Sequence, residues 1–239
     1  MENQVVNRLF AGKSEKIAEQ CKRFHSQPTA KVDVDAYLNN TDGHVFLDEP
    51  KWIKKNTPFT EYKGKVFAYG ANGDSMLIGN HSSFAKVQYP GNEGRAGMSM
   101  IHILGIPKKN LFNGVSLNPD SVVIIDEMIS CFQNNWASKD FRTAILKHQE
   151  EAIEGAYKVD KNKETYLKAM VHHRELESMI HTLTVDDFTF GLHLWPDHSI
   201  GHLHLHIIAT PPWCRQYSTF VHDDKTKDAL EVRDYIHSH

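Results

Sequence analysis

The sequence lacks any apolar run of the roughly 20 residues that a membrane-spanning helix needs. Its uninterrupted apolar stretches are short, such as Val122–Ile125. The first residues, Met1–Gln4, do not begin a basic and then apolar leader, so we expect neither a membrane span nor a secretory signal. With 14 glycines and 9 prolines in 239 residues, the chain is also too poor in both for a fibrous or low-complexity protein.

Cysteines are few: Cys21, Cys131 and Cys214 are widely spaced, odd in number and form no CxxC pair. They support neither a disulfide framework nor a zinc knuckle, so we expect an intracellular protein, cytoplasmic or nuclear. A surplus of positive charge is also absent, because 27 Lys and Arg face 30 Asp and Glu. Sequence-independent binding of nucleic acid needs such a surplus, so nucleic acid is not the expected partner.

The organisation of the chain is that of one globular domain with an extension, since 40% of the residues are hydrophobic and 239 residues suffice for a sizeable core. Apolar residues near helical spacing predict an N-terminal helical extension over residues 1–43. The remainder, residues 44–239, is predicted as one domain that carries a helical insertion at about 137–182.

The elements of that domain follow from their periodicity and punctuation. Alternating apolar pieces predict strands at 65–69, 75–78, 84–89, 98–106, 188–194 and 202–209. Longer periodic segments predict helices that begin at Asn118–Pro119 and then cover about 138–157 and 163–181. The order of strands, helices and strands predicts an α+β fold with an antiparallel sheet of five or more strands and packed helices.

Histidine is abundant, with 16 residues, five of them between His193 and His206. In a strand, His202, His204 and His206 would project from one face and form one wall of a functional site. Three such imidazoles fit either a zinc site or attack on phosphorus by a neutral imidazole. The outer two would lie about 13 Å apart at roughly 3.3 Å per residue, which favours nucleophilic catalysis over one tetrahedral metal ion.

The stretch His202–Ile208 resembles the signature of the histidine triad (HIT) superfamily, His-x-His-x-His followed by two apolar residues. Upstream, His102–Lys109 is similar to the HIT strand that reads His, apolar residues, Ile-Pro-Lys. The two matches lie in the family's order and span roughly residues 75–210. Pro196–His206 is also similar to the corresponding stretch of the aprataxin and scavenger-decapping branches. The resemblance implies a HIT-like antiparallel sheet and, as is usual in the family, a homodimer.

The resemblance also implies roles for individual residues. His204 would be the nucleophile that forms a nucleotidyl-imidazole intermediate, and His202 and His206 would hold its tautomer and the phosphate. His102 would orient one of these rings, and Ser199, at a family hydroxyl position, would contact the phosphate or the leaving group. Family members cleave a bond at the α-phosphorus of a nucleotide. A small-molecule nucleotide substrate is therefore implied, and no metal or other cofactor is demanded.

Other candidate contacts flank these motifs. His198 lies in the loop that leads into the triad and is a candidate substrate-binding residue, as is Lys108, which follows a strand end and would meet phosphate. Trp195 would stack on a base, with packing as the alternative reading. His193 is a weaker candidate for reaching the site.

One family feature is missing, and it keeps other functions open. The acidic residue that usually binds the ribose, in the strand before Ile-Pro-Lys, aligns with Val87 or Gln88, although Asp74 lies nearby. The alternatives are a HIT-fold enzyme with a non-nucleotide substrate, a metal-dependent histidine-site enzyme, and a non-catalytic nucleotide-binding module. His172 and His173, amid charges in the third predicted helix, are expected on a solvated face.

Overall fold

The computed structural model describes residues 8–38, 66–80, 85–109 and 111–239. Within them, six strands form one antiparallel sheet in the order β1-β2-β3-β5-β4-β6. The strands are β1 Val66–Tyr69, β2 Ser75–Gly79, β3 His102–Pro107, β4 Phe188–His193, β5 Leu205–Ala209 and β6 Thr226–Asp228. The helices are α1 Ser14–Ser26, α2 Pro28–Leu38, α3 Val123–Trp136, α4 Lys139–Asp160, α5 Lys163–Met179, α6 Pro212–Arg215 and α7 Ala229–Ser238. The predicted α+β class is confirmed.

The two faces of the sheet differ because side chains alternate along each strand. Leu205 and Ile207 of β5 belong to the main core, which includes the buried face of α3. At Gly105 of β3, an added Cβ would lie 3.2 Å from Met128, so the helix approaches this face closely. His206, paired with Leu104 across the ladder, is turned to the opposite face. No helix in the described ranges is both long enough and apolar enough to cross a bilayer.

The two long helices predicted at about 138–157 and 163–181 are present as α4 and α5. Ser138 caps α4 by accepting from the Phe141 N–H, and Asn162 caps α5 by accepting from the Thr165 N–H. The helix expected from Asn118 begins later, at Val123. The Asn118 side chain instead closes a turn by accepting from two backbone N–H groups just after it.

The strand predicted at 84–89 is wrong for its described residues, because Lys86–Gln88 form a 3₁₀ turn. The neighbouring strand β3 is paired with β2 on one side and with β5 on the other, so it has no edge left for another strand. The backbone N–H of Lys86 donates to Tyr217 instead. Strand β6 was not predicted, since three residues with two charges carry no strand pattern.

The N-terminal segment packs into the same core as the rest of the chain. Ile17 and Cys21 of α1 are buried in the main hydrophobic cluster. Arg8 pairs with Asp228 at 2.6 Å, which ties the segment to the end of β6. The segment holds two helices instead of one, since α1 ends before Pro28, which opens α2. Residues 1–7 and 39–43 of the predicted extension lie outside the described residues.

Candidate active site

A cavity of about 280 Å³ lies on the face of β3 and β5 that is turned away from α3. The strands supply its back wall, and the 94–98, 199–200 and 222–225 segments supply its sides. Its lining residues are Asn80, Tyr89, Gly94, Arg95, Ala96, Met98, His102, Leu104, His193, Ser199, Ile200, His204, His206, His222 and Lys225. Five imidazoles therefore meet in one cavity.

The protonation of His204 is set by its own backbone neighbour. Its Nδ1 lies 2.8 Å from the carbonyl oxygen of His202. A carbonyl only accepts hydrogen bonds, so Nδ1 carries the proton and, in the neutral ring, the lone pair is on Nε2. The side chain is buried at the cavity wall, 7% exposed. A neutral imidazole in this tautomer is a competent nucleophile.

His206 and His102 form a relay of hydrogen bonds with a defined direction. The backbone N–H of Met98 donates to His102 Nδ1 at 3.3 Å, and the Asn80 side chain lies 2.8 Å from the same atom. His102 Nε2 therefore carries the proton and donates to His206 Nδ1 at 2.8 Å. In consequence the proton of His206 is on Nε2, an atom that is buried and has no hydrogen-bond partner among the described residues. The relay thus ends in a donor at the cavity wall.

Burial keeps these rings neutral. It lowers the pKa of His102 to about 3, helped by the positive charge that His204 takes when protonated. The pKa of His206 is held well below its usual range, first by burial and then by the neighbouring imidazoles. At neutral pH both rings therefore keep the tautomers that the hydrogen bonds select.

His193 and His222 complete the imidazole set. His193 Nε2 donates to Thr226 Oγ1 at 3.0 Å, because that hydroxyl itself donates to the His222 carbonyl. The His193 ring centroid lies 4.2 Å from that of His206, and burial lowers the pKa of His193 to about 2. His222 donates to the Gly94 carbonyl at 2.9 Å. Sequence reasoning missed His222, since its position depends on β6, whose pattern is too short to recognise.

The structure brings four of the eight predicted site residues to the cavity: His204, His206, His102 and Ser199. His202 is not among them. The prediction that all three triad imidazoles share one wall is wrong for His202, because β5 begins only at Leu205 and the residues before it are not bound to the regular alternation of a strand. The His202 ring is fully buried instead, donating to the Pro107 carbonyl at 2.9 Å and accepting from the Tyr37 hydroxyl at 2.7 Å.

The other three predicted contacts also lie outside the cavity lining. Trp195 is 3% exposed, and its indole N–H donates to Asp33 at 2.7 Å. It therefore packs in the interior, as the alternative reading of this residue expected. The Lys108 ammonium lies 5.0 Å from the centre of the Tyr69 ring. The His198 ring packs edge-on against Phe112.

The helical histidine pair divides between two environments. The expectation of a solvated face is wrong for His173, which is 5% exposed and donates to the Leu146 carbonyl at 2.9 Å. That bond joins α5 to α4, and the period of the helix alone did not indicate which face α4 would cover. His172 stacks on Tyr217 with ring centres 3.4 Å apart.

The charge of the cavity favours an anionic ligand. Its charged lining residues within the described ranges are Arg95 and Lys225, and no carboxylate lies among them. Val87 and Gln88, aligned with the family's ribose-binding acid, both belong to the 3₁₀ turn, and neither lines the cavity. Asp74 is likewise absent from the lining, and its carbonyl accepts from the Lys108 N–H.

Tyr37→Phe tests how much the buried hydrogen bond between the Tyr37 hydroxyl and His202 contributes to stability. Removing the hydroxyl leaves a buried ring nitrogen of His202 without its donor, which costs about 1–3 kcal/mol of unfolding free energy. We expect a loss of this size in urea unfolding. Tyr235→Phe is the control, because the half-buried Tyr235 hydroxyl makes no hydrogen bond to any described residue. Equal free energies of unfolding for the two variants would show that the Tyr37–His202 hydrogen bond does not stabilise the fold.

Comparison with known proteins found no protein-family model, no curated protein and no solved structure that matches the sequence. The functional assignment of this chain therefore depends on the geometry of the cavity. Among the residues that the structure describes, no three or more His, Cys, Asp or Glu side chains are grouped to hold a metal ion. Fold and site together define an α+β protein with an imidazole-lined, cationic cavity on the face of its sheet opposite α3.

Proposed function

We propose that this chain is a HIT-type enzyme that cleaves a bond at the α-phosphorus of a nucleotide through a covalent intermediate on His204. The observation that carries the proposal is the hydrogen bond from His204 Nδ1 to the His202 carbonyl. It selects the tautomer whose Nε2 lone pair can attack phosphorus in a cavity bordered by two cations. The resemblance of His202–Ile208 to the triad signature supports the same assignment.

The first step forms one bond and breaks one. His204 Nε2 donates its lone pair to the α-phosphorus, and the leaving group departs with the electron pair of its bond to phosphorus. The ring then carries a positive charge, with the proton still on Nδ1, and the His202 carbonyl stabilises this charge. In the second step a water oxygen attacks phosphorus, the N–P bond breaks, its electron pair returns to Nε2, and the water proton passes to solvent.

The remaining cavity residues stabilise the transferring phosphoryl group. The His206 Nε2–H offers a hydrogen bond to a phosphate oxygen without reorganisation, since the His102 relay holds the ring in place. Lys225 and Arg95 balance the negative charge of the phosphate. Ser199, exposed at the cavity mouth, is suited to contact the leaving group.

The donor role of His206 makes a prediction for kcat. His206→Leu removes the donor, and we expect kcat to fall about 10²–10³-fold, the usual cost of losing one preorganised donor. His206→Gln, which keeps an amide N–H near the same position, retains a larger part of the rate. Steady-state kinetics on both variants make the comparison. Equal losses in the two would argue against a donated hydrogen bond.

Turnover of defined substrates tests the proposed function. The full chain is incubated with adenosine and guanosine phosphoramidates, dinucleoside polyphosphates and cap analogues, and product release is followed by liquid chromatography. Intact-protein mass on rapidly quenched samples records a nucleotidyl adduct. Turnover of at least one substrate together with that adduct supports the proposal. No turnover of any substrate by folded protein overturns it and favours the non-nucleotide substrate or the binding module.

A further inference from the structure

A second cavity, of about 380 Å³, adjoins the imidazole cavity. Its lining residues are Lys16, Glu19, Gln20, Arg23, Pro196, Asp197, Asp224, Lys225 and Lys227. We call it the lysine groove. Lys225 lines both cavities, and the loop at 196–200 separates them, with Pro196 and Asp197 on one side and Ser199 and Ile200 on the other. A ligand that extends past Lys225 would therefore occupy both.

One face of α1 forms a wall of the groove. Lys16, Gln20 and Arg23 are spaced four and three residues apart, so they lie on the same side of the helix. This side faces the chain segment 224–227, which supplies Lys225 and Lys227. The N-terminal segment thus contributes charged side chains beside the imidazole cavity, in addition to its packing in the core.

Two lysine ammonium groups, one in the groove lining and one bonded to the same chain segment, donate only to backbone oxygens among the described residues. Lys227 is 2% exposed, and its Nζ donates to the Lys225 carbonyl at 2.8 Å. Lys13 Nζ donates to the carbonyls of Asp223 and Thr226 at 2.6 and 3.1 Å. Neither ammonium makes an ion pair with any residue in the described ranges. Burial lowers the pKa of Lys227, and the charges of Asp197 and Asp224 offset this only in part. Because burying a charge that is only partly balanced is costly, the groove is suited to an anion.

Gln20 presents a buried acceptor that requires a hydrogen-bond donor from a ligand. Its Nε2 donates to the Leu194 and Trp195 carbonyls and to Asp197 Oδ2, which fixes the orientation of the amide. Its Oε1 is then buried, and no described residue donates to it. The acidic side chains of the groove are Glu19, Asp224 and Asp197, the last already bonded to Gln20. The groove therefore offers four cationic side chains against three carboxylates, together with one acceptor, Gln20 Oε1, that a hydroxyl or amine of a ligand could satisfy.

We propose that the lysine groove binds the leaving group of the substrate, and that this group carries its own phosphate together with hydroxyl or amine donors. The inference rests on the proposed function and deepens it, since it selects a substrate with two or more linked phosphates, such as a dinucleoside polyphosphate. The α-phosphate lies at His204, the phosphate chain passes Lys225, and the distal phosphate meets Lys227 and Lys16. A simple amine leaving group is too short to reach the groove.

Lysine variants on two substrates test this inference. We expect Lys227→Met and Lys16→Met each to lower kcat/KM for a dinucleoside triphosphate about 10-fold or more, the usual effect of a lost hydrogen bond to a charged group. Turnover of adenosine 5′-phosphoramidate, which places nothing in the groove, should change by less than about 2-fold. Lys22→Met is the matched control, because Lys22 is exposed on the same helix away from this face. Equal losses on both substrates, or none on either, would overturn the inference.

A binding measurement separates failure of the inference from failure of the proposed function. Calorimetric titration with inorganic tripolyphosphate is run on wild type, Lys16→Met and Lys22→Met. Both substitutions should leave the fold intact, because Lys16 and Lys22 are exposed. Binding that is weakened in Lys16→Met and kept in Lys22→Met supports an anion site in the groove even if no nucleotide is turned over. If tripolyphosphate does not bind, or binds equally to all three proteins, the lysine groove is not an anion site, whatever the turnover experiment gives.

Discussion

His204→Ala is expected to abolish turnover while leaving the fold and nucleotide binding in place. Loss of a covalent nucleophile lowers kcat by at least about 10⁴-fold, because the remaining cavity groups stabilise only a direct attack by water. The nucleotidyl adduct seen by intact mass should vanish as well. Fluorescence or calorimetric titration with the product nucleotide measures whether binding persists.

Two further variants make this result specific to the imidazole nucleophile. His204→Gly leaves space for a small molecule, so added imidazole should restore part of the rate and yield a free nucleotidyl-imidazole as product. His181→Ala, which removes an exposed imidazole after α5, should leave kcat unchanged. Adduct formation that survives in His204→Ala would refute the assignment of the nucleophile and shift attention to another cavity histidine.

Acidification is expected to destabilise the protein strongly below pH 6.5. Three buried imidazoles have lowered pKa values in the fold: His102 at about 3, His193 at about 2, and His206 well below its usual range. In the unfolded chain each binds a proton near pH 6.5, so the unfolded state takes up more protons as the pH falls. Stability is thus full above pH 6.5 and is lost progressively from there towards pH 3.

The size of this effect is comparable with the whole stability of a domain. Each imidazole that protonates only in the unfolded state costs about 2 kcal/mol between pH 7 and pH 5, so three cost roughly 5–6 kcal/mol. Urea unfolding at a series of pH values measures the slope. In His193→Gln, which keeps a donor for Thr226, the slope should decrease by one proton. A stability that is flat between pH 7 and pH 5 would show that these rings are not buried neutral.

The local parts of the fold were accessible from the sequence because they depend on short-range patterns. The helices α4 and α5 were predicted close to their bounds, since their apolar period lies within the segment itself. The strands β3, β4 and β5 were also predicted, although β3 and β5 begin several residues later than expected. Elements without a pattern of their own, β6 above all, depend on pairing with a distant strand.

The residues of the candidate site were likewise predictable only where a short-range pattern identifies them. His204 and His206 were identified from their spacing of two, which puts both on one face of a strand wherever that strand packs. The spacing could not show that β5 starts at Leu205, which turns His202 away to the Pro107 carbonyl and Tyr37. Burial of Trp195 against the N-terminal helices was equally a matter of tertiary contact.

The sequence by itself determined the α+β class, the two long helices α4 and α5 and an imidazole pair beside an apolar strand, because all three follow from residue periodicity. Only the tertiary structure decided which nitrogen of each imidazole carries the proton, since Met98, Pro107 and Thr226 reach these rings from other elements. It also decided that Lys225 joins the imidazole cavity to a groove on α1, a juxtaposition of segments about 200 residues apart in the chain.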